Sequence, residues 1–194
     1  HLGLGVRTVA TSRNFTQGSL QQSSNSLDVA INGNGFFEVQ LPDGTIGYTR
    51  DGSFQLDSQG RLVTSGGLPV ANGITVPQGA TSISISESGV VSATLAGNPQ
   101  PQQLGQLAMS SFINAAGLQP VGQNMYKESA ASGAPQQGQP GTNGLGVMRQ
   151  GFLETSNVNV VEELVTMIQT QRAYEMNSKA IQTSDQMLQR ISQL

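Results

Sequence analysis

Apolar and polar residues alternate in short runs over most of the chain, and the rhythm changes near its end. Val29-Ala30-Ile31, Phe36-Phe37-Glu38-Val39-Gln40-Leu41, Ile46-Gly47-Tyr48-Thr49-Arg50 and Ser53-Phe54-Gln55-Leu56 are separated by Asn32-Gly33-Asn34-Gly35, Pro42-Asp43-Gly44 and Asp51-Gly52. Asp57-Ser58-Gln59-Gly60 then leads into Arg61-Leu62-Val63-Thr64. Asp-Gly pairs between alternating apolar residues signal hairpins, because Gly accepts the positive φ of tight primed turns. The stretch from Val29 to Val70 is therefore predicted to be a β-meander. A second β stretch is expected at Ile74-Thr75-Val76, Ser82-Ile83-Ser84-Ile85 and Val90 to Leu95, with a turn at Glu87-Ser88-Gly89. Gly97 to Gln103 reads as a Pro/Gln loop, Leu104 to Ile113 as another strand, and Ser129 to Gly146 as a long surface loop. Upstream, Val6, Thr8 and Ala10 alternate as in an extended strand, and Ser23 to Ser26 reads as a loop.

The last segment has a helical period. Asn159 followed by Glu162 fits an N-cap with its N3 acid. From Val160 to Leu194 there is neither Gly nor Pro, which predicts about 35 helical residues and a length of roughly 50 Å. Val160, Leu164, Met167, Gln171, Tyr174, Ser178, Ile181, Asp185 and Leu188 recur at alternating spacings of four and three, the signature of a heptad seam. Val161, Val165 and Ile168 widen the stripe near its start. No other segment reads as a long helix, so the seam asks for a partner upstream or in another subunit. The alternative is a helix folded back on its own β domain. The fold class expected is mainly β: an irregular β-rich domain of hairpins and meanders over residues 1–157, followed by one long C-terminal α-helix over 158–194. Val160, Val161, Leu164, Met167, Ile168, Gln171, Tyr174, Ile181 and Leu188 are the candidate assembly interface.

Composition narrows the chemistry. Only 11% of the residues are charged and 5% aromatic, in 194 residues with a formal net charge of -3. Nine scattered Lys and Arg residues form no stripe able to neutralise a run of phosphates, which argues against nucleic acid as a partner. No apolar run approaches the ~20 residues of a membrane-spanning helix, so no membrane insertion is expected. There is no Cys, and the sole His is His1; Ser-His-Asp and Cys-His schemes and thiolate metal sites fall together. The chain opens on His1 and not on Met, which suggests a fragment or a processed product.

Asp43, Asp51 and Asp57 sit beside Gly or Ser in turn positions, where carboxylates cap backbone N–H groups; with Glu38 they are the only candidates for a two-carboxylate hydrolase. Asp51 to Gly60 lacks the acid spacing and closing Glu of a calcium loop. Gly33-Asn34-Gly35 lacks the third Gly of a dinucleotide fingerprint and reads as a turn before a buried strand. Phe36, Phe37, Tyr48 and Phe54 read as core. No catalytic, cofactor-binding or metal-binding residue is expected, and no enzyme activity.

The run Asp28-Val29-Ala30-Ile31-Asn32-Gly33-Asn34-Gly35-Phe36-Phe37, continued by Tyr48-Thr49-Arg50-Asp51-Gly52-Ser53-Phe54, resembles the signature of the flagellar rod and hook family. So do Gln150 to Leu164 and Gln171-Arg172-Ala173-Tyr174-Glu175-Met176-Asn177-Ser178-Lys179. The resemblance spans essentially the whole chain. The middle strands and the terminal Gln193-Leu194 point to the distal rod over a proximal rod or hook subunit, whereas the family's N-terminal helical segment is absent. The resemblance implies a structural subunit that stacks with other copies of itself into a helical tube. In the family, the terminal helices pair along the inner tube and the β domain faces outward. The implied partners are adjacent rod and hook subunits and the surrounding peptidoglycan-ring and outer-membrane-ring proteins, and the implied role is a periplasm-spanning shaft that carries torque to the hook. Two other readings stay open. One is a secreted binding module presenting the loops Gly97 to Gln103 and Ser129 to Gly146; the other is a wall-active hydrolase.

Overall fold

A computed structural model describes residues 13–156 and 160–193, with the side chains of 160–170, 173 and 174 excepted. Contacts divide the chain into two compact units, His1–Ser156 and Asn157–Leu194. The first carries β1 (Leu20–Gln22), β2 (Val29–Asn32), β3 (Phe36–Gln40), β4 (Ile46–Thr49), β5 (Gln55–Leu56), β6 (Leu62–Val63), β7 (Ala80–Ile85) and β8 (Val90–Leu95). It continues with β9 (Asn98–Gln106), β10 (Met109–Ser111), β11 (Gln119–Gly122), β12 (Met125–Lys127), β13 (Gln136–Gly138), β14 (Val147–Gln150) and β15 (Phe152–Glu154). The second is one helix, α1 (Val160–Ser192). The chain is thus mainly β with one long C-terminal helix, as its periodicity predicts.

The strands form a six-stranded sheet in the order β11-β12-β4-β3-β10-β13, a three-stranded sheet β7-β8-β9, and the pairs β1-β15, β2-β14 and β5-β6. Turn chemistry sets the local geometry. Asp43 accepts the Thr45 N–H at 3.0 Å, Asp51 the Ser53 N–H at 3.1 Å, and Asp57 the Gln59 and Arg61 N–H groups at 3.0 and 2.8 Å. The three acids of the hairpin region are therefore turn caps, as their neighbours in sequence suggest.

The meander expected from Val29 to Val70 is interrupted. Only β3-β4 and β5-β6 are hairpins there, and β2 pairs instead with β14, more than a hundred residues downstream. The Asp51-Gly52 pair is not a hairpin turn but a crossing point. Val29 N–H donates to the Gly52 carbonyl at 3.0 Å, and a Cβ at Gly52 would stand 1.5 Å from the Val29 oxygen. Only glycine lets the two backbones approach so closely.

Two segments expected to be loops are strands. Gly97 to Gln103 lies mostly within β9, the outer strand of its sheet, whose register against β8 shifts between Ala93 and Leu95. Pro99 and Pro101 have no N–H to contribute, and an edge strand with a bulge asks for none from them. Ser129 to Gly146 contains β13, which pairs with β10. What orders it is Glu38, 3% exposed, whose carboxylate accepts the Gln137 amide at 3.0 and 3.2 Å and the Ser110 hydroxyl. A buried carboxylate must be hydrogen-bonded, and Gln137 holds the strand in place while meeting that need.

The main core gathers Val29, Ile31, Phe37, Phe54, Leu62, Ile74, Val91, Met109 and Met148. Phe37 and Phe54 meet edge-to-face at 5.1 Å, and each large side chain buried this way contributes about 1.5–3 kcal/mol. A second aromatic cluster joins Phe36, Tyr48 and Leu118 to Phe15, Phe112 and Tyr126. The free edge of β7 is also closed: Gln150 accepts the Ile85 N–H at 3.0 Å and donates to the Ile83 carbonyl at 2.8 Å.

Burial, reinforced by the carboxylates of Glu38 and Glu128, pushes the Tyr48 phenol up from 10.0 to about 12. The unfolded phenol loses its proton near 10.0 while the folded one keeps it, so this contribution to stability is whole below pH 10 and falls away as pH rises towards 12. Tyr48→Phe is expected to flatten the alkaline limb of a plot of Tm against pH; a limb as steep as that of the parent chain refutes the assignment. Replacing Pro99 and Pro101 together by Thr restores edge N–H groups. The expected result is concentration-dependent association in light scattering, with monomer stability changed by no more than about 0.5 kcal/mol.

Candidate assembly surface

Among the described residues of α1 the large apolar side chains are exposed. Met176, Ile181, Met187, Leu188 and Ile191 are 63–68% exposed. At 3.6 residues per turn these five fall within less than half the circumference, while Lys179, Gln186 and Arg190 fall on the other side. Of the seam residues read from the sequence, Gln171, Ile181 and Leu188 are exposed. Val160, Val161, Leu164, Met167, Ile168 and Tyr174 have their backbone on α1, and their side chains lie outside the described residues, as does Asn159, the expected N-cap. In the C-terminal half the stripe drifts off the strict heptad. Ile181 and Leu188 stay on it, but Met187 and Ile191 supply the flanking column in place of the polar Ser178 and Asp185.

A second constellation holds the two ends of the β unit together. Arg50 donates from Nε to Glu154 at 2.9 Å, from one terminal nitrogen to the carbonyls of Gly33 and Gly35 at 2.8 Å each, and from the other to the Ile31 carbonyl at 3.2 Å. The ion pair is mostly buried, with side chains 16% and 12% exposed. The second Glu154 oxygen accepts the Gly18 N–H at 2.8 Å. Gln17 completes the knot, donating to the Ile31 carbonyl at 3.1 Å and accepting the Gly33 N–H at 2.6 Å. Next to it β1 pairs with β15, in the register Leu20 to Glu154. Entry and exit strands are thus fastened to each other and to the turn between β2 and β3. Sequence reading placed Arg50 and Glu154 inside motifs but did not join them. The two lie 104 positions apart, and no local period links them.

Lys127 bridges to Asp43 at 2.6 Å and, with Thr45, holds that carboxyl well below the usual carboxylate range. Among the described residues no three His, Cys, Asp or Glu side chains gather as metal ligands, and no helix is long and apolar enough to cross a membrane. A hollow of about 370 Å³ is lined by Phe15, Phe36, Phe112, Ile113 and Arg50, and the Arg50 donors that face it are already engaged.

Residues 30–93 match the model of the flagellar hook protein FlgE/F/G D1 domain, and residues 149–194 that of the flagellar basal body rod FlgEFG protein C-terminal region. The chain is 59% identical over 193 residues to the flagellar basal-body rod protein FlgG of Buchnera aphidicola subsp. Acyrthosiphon pisum, covering 100% of this chain and 74% of that protein. The FlgG of Buchnera aphidicola subsp. Schizaphis graminum is 56% identical over the same length and shares. That of Borreliella burgdorferi is 52% identical over 189 residues, 96% of this chain and 71% of the relative.

Truncating Arg50 leaves Glu154 buried without its cation, which typically costs about 3–5 kcal/mol. Arg50→Ala is expected to lower the urea midpoint accordingly and to raise hydrogen exchange first in residues 17–22 and 152–156. Arg50→Lys should recover only a small part, because an ammonium cannot reproduce the planar fork.

Proposed function

The chain belongs to the flagellar basal-body rod family FlgG and is a structural subunit of the rod, and we propose that copies join through the apolar stripe of α1 into a shaft carrying torque to the hook. Its place is the basal-body rod, where the family assembles with other rod and hook subunits. In this reading residues 1–157 form the outer β-rich domain and 158–194 the inner assembly segment. The interface is built from Val160, Val161, Leu164, Met167, Ile168, Gln171, Tyr174, Ile181 and Leu188. Peptidoglycan-ring and outer-membrane-ring proteins contact the outer domain.

The observation that carries the reading is the solvent-exposed stripe itself. Burying five side chains at about 1.5–3 kcal/mol each yields roughly 7–15 kcal/mol, close to the ~4–15 kcal/mol that association costs in lost freedom. One such contact between two copies is therefore weak. A lattice in which every subunit touches several neighbours is stable, and a heterologous contact repeated along a screw axis does not close. A shaft needs stiffness and shared contacts and has no need of a reactive site.

Leu164→Asp combined with Ile181→Asp places charges in the seam. The expected outcome is loss of rod assembly and of swimming, with the β-sheet circular dichroism of the purified chain retained. Normal swimming of the double variant overturns the proposal.

A further inference from the structure

The chain contains the Asn-Gly pairs Asn32-Gly33, Asn34-Gly35, Asn72-Gly73 and Asn143-Gly144. Such pairs are chemically labile because glycine has no Cβ to keep its nitrogen from the neighbouring side-chain amide, but the fold sets them in unequal surroundings. At Asn72 both reacting groups are engaged: its side-chain nitrogen donates to the Gln106 carbonyl at 2.8 Å, and Gly73 N–H to Val70 at 3.0 Å. Gly33 N–H is held by Gln17 at 2.6 Å. At Asn34 the carbonyl accepts Gly146 N–H at 2.8 Å, while the following Gly35 is buried with its own carbonyl held by Arg50.

Asn143 and Gly144 differ from all three. They are the central residues of the turn closed by Leu145 N–H on the Thr142 carbonyl at 2.9 Å, with φ of 52 and 77. Both are exposed. Neither the Asn143 side chain nor the Gly144 N–H makes a hydrogen bond among the described residues, and a Cβ on Gly144 would meet nothing within 4 Å. Space for ring closure and access for water are both present.

We infer that Asn143 is the preferred site of spontaneous deamidation in the folded chain. The Gly144 nitrogen attacks the Asn143 side-chain carbonyl carbon, ammonia leaves with the proton given up by that nitrogen, and a succinimide closes. Water then opens the ring at one carbonyl or the other, giving aspartate or isoaspartate. Either product adds a negative charge beside the hollow lined by Arg50 and Phe112, and isoaspartate also lengthens the backbone two residues before Leu145, which is buried in the main core.

The test incubates the full chain in mildly alkaline buffer, native and in urea, with peptide mass mapping and isoaspartyl methyltransferase labelling over time. In the native chain Asn143 should convert at least about tenfold faster than Asn32 or Asn72, the rate equivalent of ~1.4 kcal/mol for a retained hydrogen bond, and ahead of Asn34. In urea the four rates should converge. Conversion at Asn32, Asn34 or Asn72 equal to or faster than at Asn143 in the native chain overturns the inference, as does a ranking unchanged by urea.

Discussion

One arginine decides whether the β unit has defined ends. β1 and β15 are three residues each, and a two-stranded ribbon of that size is marginal in water by itself. Arg50 supplies the anchor: its charge meets Glu154, and its remaining donors meet the inward-facing carbonyls of Ile31, Gly33 and Gly35. Gly33 and Gly35, whose carbonyls accept two of these bonds, adopt φ of 124 and 123, conformations that an L side chain rarely takes. Two glycines and one guanidinium therefore form a single device. The glycines aim the acceptors and the guanidinium closes them, and Lys would leave the fork incomplete.

The same turn delivers β3 into the sheet with both aromatic neighbours buried, Phe36 into the cluster with Tyr48 and Phe37 into the main core beside Phe54. Successive residues of a strand face opposite sides. The pair Phe36-Phe37 thus reports a strand covered on both faces, and the Asn32–Gly35 turn fixes which ring enters which cluster. Packing of the unit depends on that register, because a slip by one residue would exchange the two rings.

Local chemistry was the legible part of the sequence. Period-two alternation found β2 to β8 and β10 but missed β1, β11, β12, β14 and β15, and the strand expected at Ile74-Thr75-Val76 is only an isolated bridge at Thr75; the Asp residues announced their backbone caps, and a run free of Gly and Pro announced α1. Pairing across distance was not legible. β2 pairs with β14, β10 with β3 and β13, and Arg50 with Glu154, and none of these leaves a period in the sequence. Composition misled where an edge was involved: the prolines of β9 look like loop residues because the usual objection to proline assumes a strand flanked on both sides. Likewise β13 has no apolar alternation because its order comes from a buried carboxylate and not from a greasy face. On α1 the heptad reading named Ile181 and Leu188, but Met187 and Ile191 complete the exposed stripe, on the flank opposite the polar Ser178 and Asp185 that a strict seven-residue repeat selects.

A subunit that polymerises must also avoid polymerising wrongly. Exposed sheet edges are ready templates for pairing with other chains, and many proteins guard them with lysine. Here only 11% of the residues are charged, and the three-stranded sheet is guarded by other means. β9 carries two prolines without N–H groups, and β7 has its Ile83 carbonyl and Ile85 N–H taken by the Gln150 side chain. Both devices are neutral, so they blunt the edges without adding charges that copies packed side by side would have to desolvate. Backbone pairing is thus blunted at both edges of the three-stranded sheet, while Met176, Ile181, Met187, Leu188 and Ile191 of α1 keep their apolar side chains exposed, the contrast on which the proposed assembly through α1 rests.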